Sequence, residues 1–245
     1  MSGKRLYKCN YDYFQCIDNP EKAYWLGFLM ADGYVSYTKR IRHLKTMDSL
    51  QERFVVGLSL SIQDITHLEK YKKAIGSNHQ IKVYSTTDFN TNSAYGRILI
   101  EDKTFYNNLV KLGVSPHKSL IVKYPQIDEK FDLDFIRGYF DGNGCLSCHK
   151  SRHGTPEYEF TITSTKEMLE TICEKLKLNV TDKTFRQRYP ERGKNNYTIK
   201  YCGNQQTFRV MSLLYDGAEV YLDRKYKKYL ELNKYLKESN SDYKI

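Results

Sequence analysis

Residues 24–35 read YWLGFLMADGYV, and residues 135–146 repeat the same pattern as FIRGYFDGNGCL. Each stretch contains a glycine, two large apolar residues, a variable residue, a small residue, an Asp or Asn, and a second glycine. Nearly half of the 245-residue chain separates the two closing glycines, Gly33 and Gly144. A repeat at this distance indicates a duplicated half-chain rather than a short solenoid unit.

The residues after each stretch predict the same order of elements. Alternating apolar and polar residues predict strands, and apolar residues three or four apart predict helices. In the first half we expect strands at 36–42, 54–61, 80–85 and 95–101, and helices at 65–75 and 104–112. In the second half we expect strands at 145–151, 158–163, 184–189 and 197–202, and helices at 166–176 and 206–214. Each half therefore reads α-β-β-α-β-β-α, which predicts an α+β fold.

The domain organisation follows from this duplication. We expect a lead-in segment (1–20), a first repeat (21–124), a linker (125–130), a second repeat (131–237) and a tail (238–245). The second repeat closes with an amphipathic basic helix over 221–237, which we interpret as a packed and solvated end piece.

Small residues recur at helical spacing within both copies. Gly27 and Ala31 are four residues apart, as are Gly138 and Gly142, so each pair lies on one face of its helix. Small side chains at that spacing let two helix backbones approach closely. One such pair is common by chance, but two in register inside a duplication predict a helix interface.

The ends of these two helices are the candidate site for chemistry. Each helix stops before a glycine that suits a left-handed cap, and we expect the preceding residues, Asp32 and Asn143, to lie beside each other. A carboxylate at a helix C-terminus is unfavourable unless a cation is present. Carboxylate and carbonyl oxygens suit Mg²⁺, which supports phosphodiester hydrolysis. For Asp32 alone, a cap or a surface acid is the alternative.

The composition indicates a polyanionic partner. The 39 Lys and Arg residues outnumber the 29 Asp and Glu residues, giving a net charge of +10, and nucleic acid is the usual partner of such a surplus. The codon usage of an AT-rich genome is the alternative explanation. We expect neither a membrane span nor a signal peptide, because no sufficiently long apolar run and no charged-then-apolar opening are seen. We therefore expect an intracellular protein (cytoplasm, nucleoid or organelle) that is not secreted and has no membrane partner.

On the motifs Trp25–Gly33 and Ile136–Gly144, the chain resembles the LAGLIDADG homing endonucleases in their single-chain, two-motif form. The resemblance covers nearly the whole chain. It implies a pseudo-twofold, duplicated αββαββα fold whose two antiparallel sheets form a DNA-binding saddle. It also implies a monomer that cleaves both strands of a long double-stranded DNA target, without a small-molecule cofactor.

The resemblance implies Mg²⁺ as the metal, for which Mn²⁺ or Ca²⁺ can substitute in the site. The last acid of each family motif binds the metal, which corresponds to Asp32 and Asn143 here. Backbone oxygens at Ala31 and Gly142 complete the expected metal ligands.

A basic residue near the family's site assists the reaction. By position it corresponds to Lys118 and Lys225, so the expected catalytic set is Asp32, Asn143, Lys118 and Lys225. Where the family has an acid, however, this chain has Asn143. A neutral amide lacks the charge needed to hold a hard dication, so we expect impaired or absent cleavage with DNA binding retained. Whether Asn143 is natural or engineered stays open at this point.

Alternation along the strands predicts which side chains face DNA. A two-stranded ribbon fits the major groove and points every second side chain towards it. In the first half the expected contacts are Ser36, Thr38, Arg40, Arg42, Lys82, Tyr84 and Arg97. In the second half they are Ser147, His149, Ser151, Arg186, Arg188, Thr198 and Lys200. For any single residue, ordinary solvated charge is nearly as good an explanation.

Two other functions compete with the endonuclease reading. One is an RNA-binding maturase that assists intron splicing, and the other is a sequence-specific DNA-binding regulator with a degenerate site. Asn143 favours both alternatives, whereas Asp32 and the glycine spacing favour the endonuclease.

Overall fold

The computed structural model describes residues 7–42, 49–88, 91–116, 120–181, 184–188, 190–192 and 194–241. Contacts divide the chain into two compact units: Met1–Ile17 with Asp32–Pro116, and Asp18–Ala31 with His117–Ile245. The first helix, α1 (Pro20–Ala31), therefore belongs to the second unit. Within the described ranges, no helix has the length and apolarity that a membrane span requires.

The first unit is built on a four-stranded antiparallel sheet. Its strands are β1 (Gly33–Arg42), β2 (Ser49–Ser61), β3 (Lys82–Asp88) and β4 (Thr91–Glu101), in the spatial order β1-β2-β4-β3. Helices α2 (Ile65–Ala74) and α3 (Lys103–Lys111) pack against β2 and β4. The buried side chains Leu58 and Ile98 of the sheet, with Leu68 of α2 and Phe105 of α3, form the core of this unit.

The second unit repeats this arrangement. After helix α4 (Asp132–Asn143), its elements are β5 (Gly144–Lys150), β6 (Pro156–Ser164), α5 (Lys166–Lys175), β7 (Phe185–Gln187), β8 (Tyr197–Cys202), α6 (Asn204–Tyr215) and α7 (Asp223–Ser241). The sheet order is β5-β6-β8-β7, the same connectivity as in the first sheet. Burial alternates along β6, because α5 and α6 cover one of its faces. Phe140 of α4 stacks on Phe160 of β6 at 5.1 Å.

The prediction of a duplicated α+β fold is confirmed by these two matching antiparallel sheets. The differences are in the element bounds. Strand β2 begins at Ser49 rather than at residue 54. The sequence pattern missed its first residues because they are mostly exposed and lack the apolar alternation of a half-buried strand. Strand β7 contains only three residues, and α7 continues to Ser241.

The close helix pair lies within the second unit. Helices α1 and α4 make extensive contacts, and Gly27 and Gly138 lie where they meet. A Cβ atom at Gly27 would lie 2.8 Å from the backbone nitrogen of Tyr139, and one at Gly138 would lie 2.8 Å from the carbonyl carbon of Tyr24. Each would lie closer still to a carbonyl oxygen. Because these neighbours are backbone atoms, neither position has room for a side chain. The contact also explains why α1 groups with the second unit, although chain order places it in the first repeat.

The left-handed caps expected at Gly33 and Gly144 are both wrong, since neither glycine is among those with a positive φ, and β1 begins at Gly33. Gly144 has φ −96° and ψ 170°, which is extended backbone, because β5 begins at this residue. Glycine is required here for space, since a Cβ atom would lie 2.5 Å from Cε2 of Phe140. The carbonyl groups at the end of α4 are therefore satisfied by a different group.

Candidate nucleic-acid interface

One face of the first sheet is packed under helices, and the other carries polar side chains. Arg97 pairs with both Ser59 and Lys82 across the strands, and directly opposed residues share a face. Val55 pairs with both Ser36 and Glu101, which extends this face to β1. The expected DNA-facing residues that the register brings to it are Ser36, Thr38, Arg40, Lys82, Tyr84 and Arg97. The backbone of Arg42 pairs with Ser49, but its side chain lies outside the described residues.

Arg97 is held in a fixed position on this face. Its Nε donates to the hydroxyl of Ser59 at 3.1 Å, and one terminal nitrogen donates to the hydroxyl of Tyr95 at 3.1 Å. The guanidinium lies 5.0 Å from the ring centre of Tyr84 and 5.3 Å from that of Tyr95, and the two rings stack at 5.3 Å. A cation restrained in this way loses little side-chain entropy when it contacts an anion.

The second sheet has the same two-sided character. Thr161 pairs with both Cys145 and Lys200, and Thr198 pairs with both Thr163 and Arg186. The expected residues that share this face are Ser147, His149, Arg186, Thr198 and Lys200. Two expected residues lie outside the strands. Ser151 follows β5 in a turn, where its hydroxyl is 2.7 Å from that of Thr155, and Arg188 follows β7.

Acidic side chains accompany the cations on this second face. Lys200 forms an ion pair with Glu159, and His149 lies 3.5 Å from Glu157. The hydrogen bond to Glu159 raises the pKa of Lys200. The charge on this face is therefore partly compensated within the sheet.

The sequence interpretation missed contributors from β2. Gln51 pairs with Arg40, and Arg53 pairs with Thr38, so both lie on the polar face of the first sheet with Ser59. The missing signal was the register of β1 and β2, which continues past the apolar part of β2. Arg53 also forms a 2.9 Å ion pair with Glu101.

Asn143 opens onto a cleft in the second unit. The cleft has a volume of about 340 Å³, and three of the expected helix-end residues, Ala31, Gly142 and Asn143, line it together. The amide of Asn143 donates to the hydroxyl of Tyr139 at 3.3 Å, and that hydroxyl lies 2.7 Å from the hydroxyl of Ser164. The side chain of Asn143 is thereby anchored at the end of α4.

Lys225 is the group that closes the end of α4. Its ammonium donates to the carbonyl oxygens of Phe140 (2.6 Å), Asp141 (2.7 Å) and Gly144 (2.6 Å). The residue is only 2% exposed. An ammonium has three N–H donors, so these bonds use its full donor capacity. Lys225, expected as a basic residue that assists the reaction, lies at the end of α4 as a helix cap, and its part in catalysis stays a prediction.

Asp141 is a buried acid that ties several elements together. Its carboxylate accepts from the hydroxyls of Tyr24 (2.8 Å) and Tyr215 (2.6 Å) and from the backbone N–H of Leu222 (2.8 Å). Burial raises the pKa of Asp141, and nearby Lys225 acts against this rise. No periodic pattern indicated this role, since Asp141 occupies the variable position of the motif.

Sequence comparisons give no match: no protein-family model matches the chain, and no curated protein does. Solved structures do match. The LAGLIDADG homing endonuclease I-GzeII, in complex with its DNA target, has a TM-score of 0.59 at 13% identity over 92% of each chain. I-LtrWI, bound to target DNA, has a TM-score of 0.57 at 13% identity over 91% of each chain. I-SmaMI, bound to uncleaved DNA with calcium ions, has a TM-score of 0.57 at 16% identity over 92% of this chain and 93% of that one.

The chain has the LAGLIDADG homing endonuclease fold. The predicted resemblance to single-chain members with two motifs is confirmed at the level of the fold, since solved structures of this type match nearly their whole length. In this LAGLIDADG fold, Asp32 is exposed at the end of the first motif. Lys118 lies outside the described residues.

The residues at the second motif do not fit a divalent cation. No carboxylate lines the cleft beside Asn143 in the described part of the chain, whereas hard dications prefer anionic oxygen ligands. The carbonyls of Asp141 and Gly144 are already bonded to a positive charge on Lys225. In the described ranges, no group of three or more His, Cys, Asp or Glu side chains could hold a metal ion. Asp32 is the one carboxylate among the expected ligands.

Proposed function

We propose that the chain is a LAGLIDADG-type endonuclease that binds a long double-stranded DNA site as a monomer and is impaired in cleavage. The observation that carries this proposal is the two-sided character of both sheets. In each, the face opposite the helices carries most of the residues that the sequence analysis assigned to DNA. The solved structures with the same fold include several bound to DNA.

The proposed contacts follow from the chemistry of these faces. Antiparallel ribbons fit the major groove, where an arginine can make a bidentate pair with guanine. Lysines mainly contact phosphates, which contribute affinity and salt dependence but little sequence information. The net charge of +10 favours association with the duplex. We also propose that the two sheets together form the saddle that binds the duplex.

The proposed reaction is hydrolysis of a phosphodiester with a divalent cation, Mg²⁺ in the first instance. Asp32 would hold the ion, which when bound lowers the pKa of a coordinated water and stabilises a leaving oxygen. Asn143 contributes a neutral amide at the matching position of the second motif. The side-by-side placement of Asp32 and Asn143 stays a prediction of the sequence.

Selection from a randomised duplex library tests the binding. The full chain should enrich one long site, and its affinity for that site should fall steeply with salt, since neutralised phosphates release counterions. A structured intron RNA serves as the competitor. Enriched duplexes are then incubated with Mg²⁺ or Mn²⁺, and slow or undetectable cleavage is expected.

The outcomes separate the three functions. Preference for the structured RNA over every duplex would favour the maturase and overturn the proposal. Tight duplex binding without cleavage, even after a carboxylate is placed at position 143, would favour the DNA-binding regulator. No enrichment of any nucleic acid would overturn all three.

A further inference from the structure

The cleft beside Asn143 carries one cationic side chain among its described lining residues, Arg188. Arg188 follows β7, and its backbone N–H donates to the carbonyl of Asn196 at 2.8 Å. Asn196 lines the same cleft, together with the hydroxyl-bearing Thr163 and Ser164. The described lining therefore combines one arginine, two asparagines and three hydroxyl-bearing residues, the third being Tyr139.

The charge of this space suits an anion. Its described lining includes one arginine and no carboxylate. The amide of Asn143 has two N–H donors, of which one points to Tyr139, so the second can donate to a ligand. A guanidinium matches the oxygens of a phosphate with two parallel hydrogen bonds.

Lys225 is not among the residues that line this cleft. Its ammonium is committed to three carbonyl oxygens at the end of α4. The cation that a bound phosphate would meet beside Asn143 is therefore Arg188.

We propose that this cleft binds a single phosphate of the DNA backbone directly, through Arg188 and the amide of Asn143, without a metal ion. The inference rests on the proposed function, because DNA supplies the phosphate. An asparagine fits such a site better than an aspartate, since a carboxylate would repel the phosphate unless a cation lay between them. Asn143 and Arg188 thus act together as a phosphate clamp.

The test measures coupling between Arg188 and one phosphate. Wild type and Arg188→Gln are titrated in EDTA with the selected duplex and with duplexes that each carry one neutral methylphosphonate. For wild type, neutralising one central phosphate should weaken binding about tenfold, the size expected for a charge-assisted contact. Arg188→Gln should weaken binding of the unmodified duplex equally and show no further loss at that phosphate.

Arg186→Gln is the matched control, because it removes the same charge two residues earlier in the chain, within β7, and Arg186 is not among the residues that line the cleft. In this variant the effect of the central methylphosphonate must persist. Asn143→Asp should bind more weakly than wild type in EDTA and should gain more affinity from Ca²⁺ than wild type does.

Two results would overturn the inference alone. In the first, Arg188→Gln binds the duplex but still loses affinity at every phosphate that matters to wild type. In the second, the coupling appears only when Ca²⁺ is present, which would indicate a bridging metal. If wild type binds no duplex at all, the proposed function fails together with this site. Unfolding temperatures of the variants confirm that the exposed substitutions leave the fold intact.

Discussion

The two motif copies use their polar residues in opposite ways. In the first copy α1 buries an unbroken run from Ala23 to Met30. The one acid within residues 24–35, Asp32, lies exposed just after this helix. In the second copy the charged residues Arg137 and Asp141 are buried inside the unit, and the end residue is the neutral Asn143. A shared sequence pattern therefore fixes the helix contact in both copies but leaves the charge at the helix end free to differ.

Arg137 illustrates this internal use of charge. Its guanidinium donates to the carbonyl oxygens of Val220 (2.9 Å) and Leu214 (3.1 Å) and to Asp134 (2.7 Å). The corresponding residue of the first copy, Leu26, is a fully buried hydrophobe. Arg137 thus anchors the end of α6 and the residues before α7 to the second motif helix. Leu26, at the matching position of α1, has no polar group that could make such bonds.

The largest expected effect comes from making the two copies alike at the helix ends. Asn143→Asp should raise Mg²⁺-dependent cleavage of the selected site by about 100-fold or more, because a second carboxylate can hold a cation that stabilises charge in the transition state. Single-turnover cleavage of labelled duplex measures this. Adding Asp32→Asn to the variant should remove the gain. Unchanged cleavage in Asn143→Asp would mean that the difference between the copies is not what limits hydrolysis.

A methyl group added at the glycines of the contact between α1 and α4 tests the feature that the two copies share. Gly138→Ala should lower the free energy of unfolding by about 3 kcal/mol, the upper part of the range for overpacking, because the added methyl meets the backbone of Tyr24. Thermal and urea unfolding measure the change. Gly27→Ala should behave similarly.

Gly96→Ala is the control for this crowding. Its added methyl would lie 3.0 Å from Cδ1 of Leu68 and 3.2 Å from Cγ1 of Ile65, which are parts of movable side chains. A smaller loss of stability is therefore expected. Equal losses at Gly138 and Gly96 would contradict a special role for the backbone contact between α1 and α4.

The lysine that caps the helix of the second copy should carry the next effect. Lys225→Met should lower the free energy of unfolding by about 2 kcal/mol, since three carbonyls at the end of α4, two of them buried, lose their donor. Lys228→Met is the matched control, because Lys228 donates to one carbonyl, that of Leu146, at 3.1 Å. Denaturant midpoints compare the two. A Lys225→Met protein that is as stable as wild type but loses cleavage in the Asn143→Asp background would instead support a catalytic lysine.

The smallest expected effect is on DNA affinity, and it compares a cation of the first sheet with one of the second. Arg97→Gln should weaken binding of the selected duplex about fivefold and reduce its salt slope by about 1, if Arg97 contacts a phosphate. Lys200→Gln should weaken binding less, because Glu159 already compensates that charge. Fluorescence anisotropy at several salt concentrations measures both. A larger loss from Lys200→Gln would reverse the ranking of the two faces.

The sequence predicted what depends on local patterns. The glycine spacing, the order of strands and helices and the sharing of one face by most expected DNA contacts all follow from periodicity in a duplicated chain. Periodicity did not predict the start of β2, where mostly exposed residues without apolar alternation pair with β1.

Long-range partners account for the rest. Lys225 reaches the end of α4 across more than 80 positions of sequence, and no spacing rule could separate a capping ammonium from a catalytic one. The extended conformation of Gly144 likewise depends on Phe140 and on the immediate start of β5. The grouping of Arg188 with Asn143 in one cleft is visible only in three dimensions.

The buried Asp141 constrains how this protein could change. A carboxylate already exists two residues before the end of the second motif, yet three donors from α1, α6 and the residue before α7 depend on it. Recruiting that acid for chemistry would dismantle the surrounding structure. A second anionic ligand can therefore arise by a single substitution at position 143, whereas the buried Asp141 cannot supply it without loss of structure.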